Sequence, residues 1–158
     1  MTWIGAYPWL LVLHVVSALA FVAIHGVSRG VWWRIRRERD RAKLAALLEL
    51  SGMFLRPAML AGLLLIVSGI LVGVAAAWWF NGQWWLWVSI GLLVLIVAVM
   101  TPLLSVPFGG LRRALGTPTQ VDDAALAVLL TDRRPAVGAT IGIGGLVLIT
   151  WLMETKPF

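Results

Sequence analysis

The chain contains no cysteine, so it forms no disulfide and offers no thiolate to zinc, copper or an iron–sulfur cluster. Charge is scarce as well: 13% of its 158 residues are Asp, Glu, Lys or Arg. None of these lies in the middle of a long apolar stretch. Proton pumps, ion-coupled transporters and voltage sensors need such intramembrane charges, and their absence counts against those classes. It also removes the paired carboxylates that hydrolysis would use. Ser17, Ser68, Ser89 and Thr140 have no acidic or basic neighbour to activate them, and read as helix-packing hydroxyls.

What the chain has in abundance is apolar surface. With 61% hydrophobic residues and a mean hydropathy of +0.93, it is not a soluble globular domain. Its net charge of +6 sits beside the apolar stretches, which points to anionic lipid headgroups and not to nucleic acid. The start, MTWIGAYPW, lacks a basic leader and a clear cleavage site, so the first apolar stretch is expected to be retained.

Four stretches are long enough to cross about 30 Å of hydrocarbon as helices of roughly 20 residues. The expected spans are about 8–28, 57–79, 84–104 and 134–153. The first connection carries Arg29, Arg34, Arg36, Arg37, Arg39, Arg41, Lys43 and Arg56. The third carries Arg112, Arg113, Arg133 and Arg134, and Lys156 alone lies at the far end. Basic loops resist translocation, so both termini should lie outside and the two basic loops in the cytoplasm, in the plasma (inner) membrane. The expected fold is all-α, a single four-transmembrane-helix bundle.

Local signals refine this plan. Pro8 suits the first turn of span one. The good helix formers of RGVWWRIRRERDRAKLAALLELSG predict that helix continues past the bilayer. Asn81-Gly82 marks a short turn that makes spans two and three an antiparallel hairpin. Pro102 and Pro107 are expected to loosen span three near its end. Residues 122–130 predict a short interfacial cytoplasmic helix, with Thr119 or Asp122 as cap. Trp3, Trp9, Trp78, Trp79, Trp84, Trp85, Trp87 and Trp151 fall near the outer boundary, as an interfacial belt would. Gly138, Gly142 and Gly145 in span four, and Gly62, Gly69 and Gly73 in span two, predict close helix contacts within the chain or between subunits.

Both histidines are in span one. Eleven residues separate His14 from His25, which places them on one helix face about 16 Å apart along the axis. Ser17, Ala18 and Phe21 lie on or near that stripe, which should face the bundle interior. An imidazole in a membrane helix can ligate haem iron, but two on one face cannot hold the same iron from opposite sides. A single His14 ligand, a haem shared across a dimer, or a hydrogen-bonded histidine without a cofactor all fit the pattern. Arg56 could meet a haem propionate or a lipid phosphate. Lys156 could reach inward or snorkel to the surface.

Several motifs are familiar. LLVLHVVSALAFVAIHG, with His14, Gly26 and the basic run from Arg29, resembles the first helix of a group of small four-helix membrane proteins. The group includes copper-resistance D type proteins, an uncharacterised family of predicted integral membrane proteins, and HemJ-type protoporphyrinogen oxidases. LRPAMLAGLLLIVSGILVG, with Pro57, Ala58, Met59 and Gly69, resembles their second helix. LITWLMETKPF, with Lys156-Pro157, resembles their last. The resemblance implies haem b with His14 as its axial metal ligand and Lys156 as an active-site or second-ligand position. The chain departs from the oxidases before its last helix, where it reads TDRRPAVGA, and at Arg56-Pro57, so the uncharacterised family is the nearer likeness.

Two functions follow as expectations. One is a haem-b-associated redox or porphyrin-linked membrane protein, with His14, His25, Arg56 and Lys156 as candidate cofactor-binding residues. The other is a structural or accessory subunit that packs into a homo-oligomer or larger membrane complex through its glycine faces. Copper handling is disfavoured by the missing thiols and scarce methionine.

Overall fold

A computed structural model of the chain describes residues 3–80, 82–116 and 122–157. It is all-helical, with α1 at Trp3–Ile35, α2 at Arg41–Met53, α3 at Leu55–Ala75, α4 at Trp84–Gly116, α5 at Asp123–Leu130 and α6 at Arg134–Thr155. A single 3₁₀ turn covers Trp78–Phe80. Four helical segments are long and apolar enough to cross a membrane, as expected from the sequence. In lipid every backbone N–H and C=O must be satisfied within the helix, which is why Val- and Ile-rich stretches become helices here.

The spanning helices pack mainly as two pairs, α1 with α3 and α4 with α6. Glycines set both seams. A β-carbon at Gly138 would stand 3.3 Å from Leu103 Cβ, and one at Gly142 would stand 2.6 Å from Met100 Sδ. At Gly145 it would collide with Ile96. The small-residue series of span four is thus an internal seam with α4, and Gly62 and Gly69 serve α1 in the same way. Most other apolar side chains on these helices are exposed, as befits surfaces whose solvent is lipid.

The densest packing lies at the basic end. Trp32 and Ile35 of α1, Leu44 and Leu48 of α2, Leu111 of α4, and Leu126 and Leu130 of α5 form one buried cluster. Trp32 stacks obliquely on Phe108 with ring centroids 5.0 Å apart. Two polar contacts close the same end: Arg36 Nε donates to Leu130 O at 3.3 Å, and Arg41 meets Asp123 at 2.6 Å.

At the opposite, tryptophan-rich end, Tyr7, Trp78 and Trp85 meet edge to face. Trp79 folds back to donate to Ile70 O and lies where a side chain at Gly73 would be. Trp9, Trp84, Trp87 and Trp151 stay exposed, as belt residues do, whereas Trp85 is fully buried. The belt is therefore divided between an exposed ring and an internal aromatic cluster. The side chain of Trp3 lies outside the described residues.

Several boundaries differ from expectation. Helix α1 begins at Trp3, so Pro8 lies inside it instead of opening it. Helix does not run unbroken through the first basic loop. Glu38 accepts from the N–H groups of Arg39 and Asp40, and Asp40 then caps α2 by accepting from Ala42 and Lys43. Short acidic side chains offering themselves to the backbone compete with helix in this way. Span two ends at Ala75, after which Ala77 takes a left-handed conformation (φ 55°). Helix α4 runs through Pro102 and Pro107 to Gly116. Proline inside a membrane helix is tolerated more readily than in a soluble one. The interfacial helix α5 forms with Asp122 at its N-cap position but without a side-chain cap bond; Thr119 lies outside the described residues, as does Asn81 of the turn, whereas Gly82 adopts φ 67°.

Candidate functional site

The expected stripe of α1 faces α3. His14, Ser17 and Phe21 follow the helical period, and on α3 the facing positions are Gly62, Leu65, Ser68 and Gly69. Ser17 and Ser68 are buried in this seam. The Phe21 ring lies over Gly62, at 3.2 Å from where its β-carbon would be. The His14 ring lies over Gly69 at 2.9 Å by the same measure.

Nδ1 of His14 is 3.1 Å from Leu65 O and 3.2 Å from Ser68 Oγ. A carbonyl oxygen can only accept, so the proton of the neutral ring belongs on Nδ1. Ser68 agrees with this assignment. Its hydroxyl donates back to Leu64 O, which leaves a lone pair of Oγ for His14. Nε2 is then the unprotonated nitrogen, with its lone pair free for a metal or a donor. The ring is half-buried and held from α3.

The other candidate residues are placed apart. His25 lies three turns along α1, where Nδ1 donates to Phe21 O at 2.8 Å within the same helix. Its ring packs on Phe21, with centroids 4.1 Å apart. Arg56 is exposed in the first turn of α3, about 14 Å along the helix axis from Leu65. Lys156 ends α6 in a left-handed conformation (φ 44°), and its Nζ lies 4.7 Å from the Trp78 ring centre and 5.9 Å from that of Trp85. It stays exposed and apart from the His14 seam, and it covers the aromatic cluster as a cation over indole faces.

The sequence marked His14 but not its partners. Ser68 read as a packing hydroxyl and Gly69 as one glycine of a series, although their adjacency is what holds the imidazole. Among the described residues no three His, Asp or Glu side chains come together as a metal site.

The family model described as predicted integral membrane protein (DUF2269) matches residues 8–157. No curated protein and no solved structure matches.

Proposed function

The chain belongs to the DUF2269 family of predicted integral membrane proteins, and on that footing we propose that it is a plasma-membrane haem b protein with His14 as its axial ligand. The observation that carries this reading is the Nδ1–H bond of His14 to Leu65 O and Ser68 Oγ. Ligating histidines characteristically donate their other ring nitrogen to a carbonyl or carboxylate, which fixes the ring and raises its basicity. His14 has that arrangement, with Nε2 left for iron. With no further His, Asp or Glu beside it as a metal site among the described residues, a metal held by His14 would have to bring most of its own ligands. A macrocycle does so. Haem b bound there would supply one-electron ferric–ferrous chemistry. Leu65 O and Ser68 Oγ would orient the ligand, and Gly69 would admit its ring.

Protein purified in detergent from haem-replete cells should show a Soret band that sharpens and shifts with dithionite and is lost in His14→Ala. A colourless wild-type protein would sink the proposal and favour an accessory subunit. Gly26 and Gly30, one turn apart on α1, have open space around them, as do Gly91 and Gly109 of α4 and Gly144 of α6, and such glycines could serve that contact.

The sorted basic residues support an orientation with both termini outside and the α1–α3 and α4–α6 connections in the cytoplasm. The chain has no cysteine, so Lys43→Cys and Glu154→Cys can be labelled singly in cells. A membrane-impermeant maleimide should reach position 154 and not position 43; the reverse result would invert the topology.

A further inference from the structure

At the basic end a groove of about 390 Å³ opens between the end of α1 and the start of α6. Arg36 and Arg133 line it together with Ala136, Val137, Thr140 and Ile141 of α6. We propose that this groove is a site for one anionic glycerophospholipid, with its phosphate between the two arginines and an acyl chain against α6.

Charge and shape both favour that occupant. Arg36 is half-buried and positioned by its Nε bond to Leu130 O. That bond uses one of five guanidinium donors and leaves the terminal nitrogens free for a phosphate. Arg133 is the residue before α6, so its charge adds to the partial positive charge of a helix start. The neighbouring carboxylate of Asp132 is engaged by the Arg134 N–H at 2.8 Å. Beyond the arginines the lining turns apolar, and Val137 and Ile141 succeed one another at i,i+4 along a single α6 face. A soluble phosphate would use the first part of this groove alone; a lipid would use all of it. Basic pockets between helices on the cytoplasmic side are where acidic headgroups bind.

The test is native mass spectrometry of the detergent-purified full chain titrated with dioleoyl phosphatidylglycerol or dioleoyl phosphatidylcholine. Wild type should retain one phosphatidylglycerol in preference to phosphatidylcholine. Arg36→Gln with Arg133→Gln should lower that retention about tenfold or more, while Arg39→Gln with Arg134→Gln should leave it unchanged. Val137→Trp fills the apolar part without touching a charge, and should also lower retention. It guards against the chance that losing the Arg36 bond unsettles the fold. Equal retention of the two lipids, equal loss in the control pair, or no effect of Val137→Trp would each overturn the proposal. So would displacement of the lipid by millimolar inorganic phosphate, which would make the site one for a free anion.

Discussion

Gly69 of α3 stands so close to His14 of α1 that a β-carbon at position 69 would lie 2.9 Å from His14 Cε1. The same ring is tied by Nδ1 to Leu65 O, one turn earlier on α3. The two contacts together leave the imidazole little freedom to move aside. Gly69→Ala should therefore cost about 1–3 kcal/mol in unfolding from detergent, as overpacking of a filled site does. Gly62→Ala should cost less, because the atom it meets is the edge of the Phe21 ring, at 3.2 Å. Equal stability of Gly69→Ala and wild type would show that His14 is not held where the structure places it.

How far this seam could be read beforehand follows from which of its parts are local. The face shared by His14, Ser17 and Phe21 follows from the helical period alone. Its pairing with Leu65 and Ser68 joins residues 51 and 54 apart in sequence, and no local pattern announces such a pairing. The spans were legible because apolar length and sorted charge are properties of short segments. Gly138, Gly142 and Gly145 announced a close contact, but only the structure identifies Leu103, Met100 and Ile96 as its other side. Pro102 and Pro107 misled because their usual helix-breaking reading assumes water, whereas in lipid an open backbone has nowhere else to bond. Lys156 is exposed, as its position suggested, but its contact with Trp78 joins residues far apart in sequence and depends on a left-handed turn that no local pattern announces.

The left-handed turn at Lys156 makes its own prediction. Replacement by alanine removes the cation from the indoles and retains the β-carbon in an unfavourable conformation. Replacement by glycine removes the cation and relieves that conformation. Lys156→Gly should accordingly be more stable than Lys156→Ala by about 1 kcal/mol, measured by thermal unfolding. Tryptophan emission should change alike in both, since Trp78 and Trp85 lose the same charge. If alanine equals glycine in stability, the left-handed cap is wrong.

Acid should loosen the junction between α1 and α2. The N–H groups of Asp40 and Arg39 hold the Glu38 carboxyl below its usual carboxylate range. A depressed folded-state value means that the ionised form is the one the fold prefers. Its contribution is complete above the ordinary glutamate range and is lost as pH falls through the lowered value. Glu38→Gln should flatten this part of the acid limb in a stability–pH profile, with hydrogen exchange at Arg39 and Asp40 made less sensitive to pH. An unchanged profile would remove Glu38 from the junction.

The seam between α4 and α6 can be tested with its own internal control. Gly142 faces Met100, where a β-carbon would meet Sδ at 2.6 Å, whereas Gly144, two residues on, has nothing within 4 Å. Both are glycines of one helix with the same propensity, so a leucine at either gains the same intrinsic helix preference. The difference between them is the neighbour. Methionine is flexible enough to yield to a methyl group but not to a branched side chain backed by α4. Gly142→Leu should cost about 1–3 kcal/mol and widen the spacing of spin labels placed on α4 and α6. Gly144→Leu should stay within about 0.5 kcal/mol of wild type and leave the spacing unchanged, because its side chain enters lipid. The reverse order would mean that α6 is rotated about its axis, and that Gly138, Gly142 and Gly145 face outward to a partner instead of inward to α4.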